Sequence, residues 1–146
     1  MPKFSKASMM QLDTCCDELR EIAYSLIHDV DFGVVCGYRN KADQNKAVAD
    51  GNSTTPYPKS KHNVMPSDAF DLYPWVNGKR SDDPRTCRYF AGMLVERARQ
   101  LGHSLRWGGD WDGDMDPTDQ AFNDLVHFEI VRKWHHVRQP VHMPVA

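Results

Sequence analysis

Two short segments combine histidine with carboxylates at spacings that could serve a metal ion. The first runs Ser60-Lys61-His62 and continues through Pro66-Ser67-Asp68-Ala69-Phe70-Asp71; the second is Asp124-Leu125-Val126-His127-Phe128-Glu129. A catalytic zinc takes about three protein ligands, commonly His and carboxylate, and keeps one position open for water. His62, Asp71 and His127 can supply such a set. Asp124, three residues before His127, could then face the metal's water as general base. On an extended strand residues two apart share a face, so His127 and Glu129 point together and Phe128 enters the opposite layer. Histidine is also a common half-buried polar residue, and Asp-x-x-His recurs by chance. Spacing alone therefore leaves the metal site and that plainer reading side by side.

Groups so far apart in sequence need strands, turns and caps to bring them together. Apolar residues at Met9, Leu12, Cys15/Cys16, Leu19, Ile22/Ala23 and Leu26/Ile27 predict one amphipathic helix over Met9–Ile27. Phe32–Cys36 reads as a strand that ends in Gly37-Tyr38-Arg39, and Lys41–Ala49 as a short helix stopped by Gly51. A polar loop with Pro56 and Pro58 comes next, then a strand over Ala69–Tyr73 closed by Pro74. Asp83 as N-cap and Pro84 in the first turn start a helix whose buried face is Phe90, Met93/Leu94, Ala98 and Leu101, with Gly102 as its stop. Ser104–Trp107 and Leu125–Val131 complete the strands, with Asp124 just before the last one, and 132–146 reads as an irregular tail. The order predicts one α+β domain over 1–146, a small antiparallel sheet packed with two or three helices.

Composition narrows the function. The 146 residues carry a net charge of -2, so no overall basic field is present to hold a nucleic acid. No apolar run approaches the roughly 18 residues that span a bilayer, and residues 1–14 lack the apolar core of a signal peptide. Cys15, Cys16, Cys36 and Cys87 form no Cys-x-x-Cys pair, which argues for reduced, buried thiols made in a cytoplasm. Sixteen Asp stand against four Glu, and six of those Asp fall within 110–124, a stretch that reads as a loop. Asp112-x-Asp114-x-Asp116 resembles the first half of a Ca²⁺-binding EF-hand loop. Pro117 replaces its glycine and no Glu closes it, so a solvated acidic loop is favoured over a Ca²⁺ site. Trp107 fits the strand pattern and reads as core, whereas Trp111 suits the rim of a substrate cleft. His135, His136 and His142 offer no common face and read as exposed tail.

Taken together, these motifs resemble the D-Ala-D-Ala carboxypeptidase family of zinc peptidases. Ser60-x-His62, Ala69-x-Asp71 and Asp124-x-x-His127 carry the resemblance, supported by Gly37-Tyr38-Arg39 with Gln44 and by Trp107-Gly108-Gly109-Asp110-Trp111. The matches run in family order from Val34 to Glu129 and are most similar to the branch of phage endolysins that are L-alanyl-D-glutamate peptidases. The resemblance implies the D-Ala-D-Ala metallopeptidase/hedgehog-like fold. It also implies one Zn²⁺ held by His62, Asp71 and His127, with Asp124 as base and Arg39 as donor to the scissile carbonyl. Ser60 and Gln44 become supporting or substrate-side residues. One departure stands out. The family's Asp comes seven residues after its His, but Asp71 comes nine after His62, so two extra residues lie within Asn63–Asp68. Asp68 is thus a rival ligand; Asp71 is preferred because it lies in the apolar strand pattern.

For function, the resemblance implies a monomeric phage endolysin cutting the peptidoglycan stem peptide at L-Ala–D-Glu. It would be made in the host cytoplasm and reach the wall after holin-type release, with no nucleic-acid or membrane partner. Two alternatives stand beside it: a D-Ala-D-Ala carboxypeptidase or dipeptidase, and a non-catalytic zinc-containing wall-binding or signalling domain. Asp124 and Arg39 argue against the second, since holding zinc needs neither.

Overall fold

The computed structural model describes residues 2–132; Trp134, the three tail histidines and the rest of the expected irregular tail lie outside them. Helix α1 spans Lys6–Leu12 and α2 spans Asp17–Leu26, so the single helix expected over Met9–Ile27 is in fact two. The break is caused by a contact distant in sequence. Cys16 N–H donates to Ser67 O at 2.9 Å and Ser67 N–H to Thr14 O at 2.7 Å, tying the chain at 14–16 to the approach to a strand. Four residues separate the helices, about one helical turn, so the apolar stripe keeps its phase across the gap. Periodicity could not reveal the break.

Strand β1 (Phe32–Cys36) leads into α3 (Lys41–Ala49), capped by Asn40, and then a 3-10 turn at Lys61–Asn63. Strand β2 (Ala69–Val76) runs through Pro74 instead of ending there, and it pairs with the short β3 (Lys79–Arg80). The last strand, β5 (Asp124–Ile130), pairs only with Ala69, Phe70 and Asp71 of β2, so at Pro74 the strand lacks that neighbour and tolerates the missing N–H. Helix α4 (Pro84–Gln100) starts at the expected Asp83 cap, whose carboxylate accepts from Arg85 N–H at 2.9 Å. Strands β4 (Leu105–Gly108) and β5 (Asp124–Ile130) complete an antiparallel sheet of order β1-β2-β5-β4. The α+β antiparallel reading therefore holds, with four α-helices instead of two or three because the first splits.

Strand alternation separates core from chemistry. Phe70, Leu72, Phe128 and Ile130 enter the core with Leu19, Ile22, Phe90 and Leu94 from α2 and α4. Burying each such side chain is worth about 1.5–3 kcal/mol. The intervening residues Asp71, His127 and Glu129 face the other way. The outer edge of β1 is closed by side chains from and just after α1. Ser8 Oγ accepts from Val34 N–H, Gln11 Oε1 from Gly37 N–H and Thr14 Oγ1 from Tyr38 N–H, at 2.9–3.0 Å. Gly37 has to be glycine, since a Cβ there would lie 2.4 Å from Thr14 Oγ1. Cys15, Cys16 and Cys87 are buried, and all four cysteines are free thiols.

Candidate active site

Asp71 and His127 are direct cross-strand partners on β2 and β5, and Cys36 is opposite Asp71 on β1. His62 reaches them from the 3-10 turn, which is built by a capping box. Ser60 Oγ accepts from His62 N–H at 3.2 Å, and Asn63 Oδ1 accepts from Ser60 N–H at 3.1 Å. Ser60 thereby sets the orientation of His62 as well as lining the cleft.

Three donor atoms converge. His62 Nε2 lies 3.2 Å from Asp71 Oδ1 and 3.2 Å from His127 Nδ1, and the last two are 3.3 Å apart. A tetrahedral zinc with bonds near 2.0–2.1 Å has ligand atoms about 3.3–3.4 Å apart, so this triangle matches one face of such a site. Each imidazole's other nitrogen is already engaged. His62 Nδ1 is 2.7 Å from Gly37 O, and His127 Nε2 is 2.9 Å from Glu129 Oε1. In the neutral rings those bonds hold the N–H on the outer nitrogen and turn a lone pair inward, as metal-binding histidines require. Cys36, His62 and Asp71 also form a metal-competent group, with donor atoms within 4.8 Å of one another. The Cys36 Sγ, however, faces His62 Nδ1 at 3.8 Å, the nitrogen already bonded to Gly37.

Electrostatics point the same way. Burial opposes charge on His62, but the neighbouring Asp71 carboxylate outweighs it and pushes the imidazole up to about 10. Burial likewise opposes charge on His127, yet hydrogen bonds to Asp71 and Glu129 push it up to about 9. Against its own burial, Asp71 is held well below the usual carboxylate range by His62 and His127. This dry, anionic corner attracts positive charge, and protons compete with a divalent cation for its lone pairs. Asp124 is shifted oppositely: burial, then the nearby Asp71 charge, raises its carboxyl above the ordinary range.

A cleft of about 250 Å³ opens over this corner, lined among others by Arg39, Ser60, His62, Trp111, Asp124 and His127. Asp124 is aimed by an irregularity in the β4–β5 pairing. Gly108 is paired with Asp124 immediately after Trp107 has paired with Phe128. A Cβ on Gly108 would lie 2.1 Å from Asp124 O, so only glycine permits this approach. Trp111 stacks on Phe122 with ring centres 6.5 Å apart and tilts over His127 at 5.4 Å. Trp107 packs against the core and donates to Leu125 O at 2.9 Å.

Arg39 forks between Gln44 Oε1 at 3.0 Å and Asp71 Oδ2 at 3.3 Å. Gln44 has no exposed surface, and its amide donates to Ser53 Oγ and Thr55 O. Of the two roles expected for Gln44, its full burial, away from the lining of the cleft, fits the supporting one. Asp68 turns away to Arg132 at 2.7 Å and does not line the cleft. In the acidic loop Asp112, Asp114 and Asp116 each accept a backbone N–H two residues on, and Asp110, Asp112 and Asp114 bring carboxylate oxygens within 4.8 Å of one another. Glu129, which orients His127, was legible in sequence as a residue on the same strand face, but not in that orienting role. Asn63, Thr55 and Arg106 carried no sequence signal.

Comparisons with known proteins bear on the family and the fold. The family model for phage L-alanyl-D-glutamate peptidases matches residues 1–131. The L-alanyl-D-glutamate peptidase of Escherichia phage T5 is 34% identical over 136 residues, covering 88% of this chain and 98% of that protein. Among solved structures, an L-Ala D-Glu endopeptidase from Serratia marcescens superposes with a TM-score of 0.71, at 23% identity, over 88% of this chain and 90% of its own.

Proposed function

We propose that this chain, which belongs to the phage L-alanyl-D-glutamate peptidase family, is a zinc-dependent peptidase that hydrolyses the L-Ala–D-Glu bond of the peptidoglycan stem peptide. The observation that carries the zinc assignment is the 3.2–3.3 Å triangle of His62 Nε2, Asp71 Oδ1 and His127 Nδ1, opening on the cleft that Asp124 lines. Zn²⁺ held there would supply Lewis acidity, polarising a carbonyl and making water more acidic.

The chain's own residues supply the rest. Asp124 takes a proton from the attacking water as the new C–O bond forms, then returns it to the D-Glu nitrogen as the C–N bond breaks. Arg39, held by Gln44 and Asp71, keeps a fixed positive charge beside the carbonyl oxygen where negative charge develops. Trp111 and Phe122 wall the cleft and limit water around the reacting bond. In its phage setting the enzyme would act as an endolysin, a monomer that reaches the wall after holin-type release. No helix among the described residues is long and apolar enough to cross a membrane.

Digestion of purified peptidoglycan and mass spectrometry of the products test the bond. Peptides with a new N-terminal D-Glu are expected, with L-Ala left on the glycan. Free D-Ala instead would assign a D,D-carboxypeptidase, and an intact wall would assign a non-catalytic binding domain.

A further inference from the structure

The chain is acidic as a whole, yet its cleft is walled by four cations, Arg39, Lys59, Lys61 and Arg106. Two of them are engaged with buried carboxylates: Arg39 with Asp71 at 3.3 Å and Arg106 with Glu129 at 3.4 Å. Lys59 and Lys61 are in no ion pair among the described residues. Both lie on a braced segment. Lys59 N–H donates to Pro56 O at 2.9 Å, and Lys61 immediately precedes His62 in the capped 3-10 turn. The loop ahead of them is fastened by the buried Gln44 through Ser53 and Thr55.

The substrate explains such cations. A glutamyl residue has two carboxyl groups; the bond to the next residue consumes one and leaves the other free. When glutamate supplies the scissile nitrogen, that free carboxylate enters the cleft a few bonds from the reacting carbon. There it meets the Asp124 carboxyl group, and like charges in a partly desolvated cleft repel, whereas Asp71 and Glu129 are already offset by Arg39 and Arg106. Ammonium groups on the wall reverse that balance, and a lysine's flexible stem can track a carboxylate whose position shifts during reaction.

We propose that Lys59 and Lys61 bind the free carboxylate of the glutamyl residue at the scissile bond, so that the enzyme selects stem peptides in which this group is not amidated. The inference rests on the peptidase reading above and adds the determinant of specificity. Two synthetic stem peptides test it, one containing D-Glu and one D-isoglutamine at the same place, with kcat/KM measured for each. Hydrogen bonds to charged groups are worth about 1.5–3 kcal/mol, so the wild type is expected to prefer the D-Glu peptide by about tenfold or more. In the double variant Lys59→Met/Lys61→Met the ratio should collapse toward one, through loss on the D-Glu peptide, and Lys59→Arg/Lys61→Arg should keep it. Equal wild-type rates on the two peptides, or an equal fall on both in the methionine variant, would overturn the inference and leave the peptidase reading standing. Cleavage of neither peptide would overturn both.

Discussion

Asp124→Asn is expected to lower turnover by at least about 10²-fold while leaving the zinc content unchanged. General-base contributions span about 10²–10⁴-fold, and asparagine keeps the size of the side chain while losing the basic oxygen. Stability should move the other way. The folded protein raises the Asp124 carboxyl, through burial and then the Asp71 charge, so its ionisation opposes folding. A raised carboxyl favours the folded state below its unfolded value and loses that advantage as pH rises through its folded value. Asn cannot ionise and so escapes that opposition, and with zinc removed from both proteins the melting temperature of the variant should be no lower than that of the wild type. Near-normal turnover in Asp124→Asn would pass the role of base to another group, and loss of zinc would make Asp124 a ligand.

Asp71→Ala is expected to abolish zinc binding and activity together, whereas Asp68→Ala should leave both within about twofold of wild type. Asp71 lies between the two inward imidazole nitrogens at 3.2 and 3.3 Å and also receives Arg39, so its loss removes a ligand and the partner of a cation. Asp68 is paired with Arg132 near the start of β2, a contact partly open to water. Such exposed pairs contribute about 0–1 kcal/mol, and a small fall in melting temperature is the whole effect expected. Isothermal titration with zinc and a thermal melt on each variant read both outcomes. The reverse pattern would mean that the two extra residues between His62 and Asp71 are placed on the wrong side of the ligand.

Much of the site was legible because its residues sit in regular elements. Alternation along β5 puts His127 and Glu129 on one face and Phe128 on the other, and the structure shows that division. Strand character likewise favoured Asp71 over Asp68, and Asp71 is the carboxylate found beside His62. The features that escaped depend on contacts distant in sequence. Helices α1 and α2 share one apolar stripe, and only the pairing of Thr14 and Cys16 with Ser67 breaks them apart. Gln44 looks like any polar residue on a short helix, since nothing local reveals that Arg39, Asn63, Ser53 and Thr55 all close on its amide. The pairing of Gly108 with Asp124 is equally silent in sequence, although it aims the proposed base.

The central claim is that His62, Asp71 and His127 together hold one zinc on which hydrolysis depends. The most direct measurement is elemental analysis of purified wild-type protein, paired with its rate on peptidoglycan before and after chelation. About one zinc per chain is predicted, with activity lost on chelation and restored by added Zn²⁺. Fully active protein that contains no zinc would contradict the account.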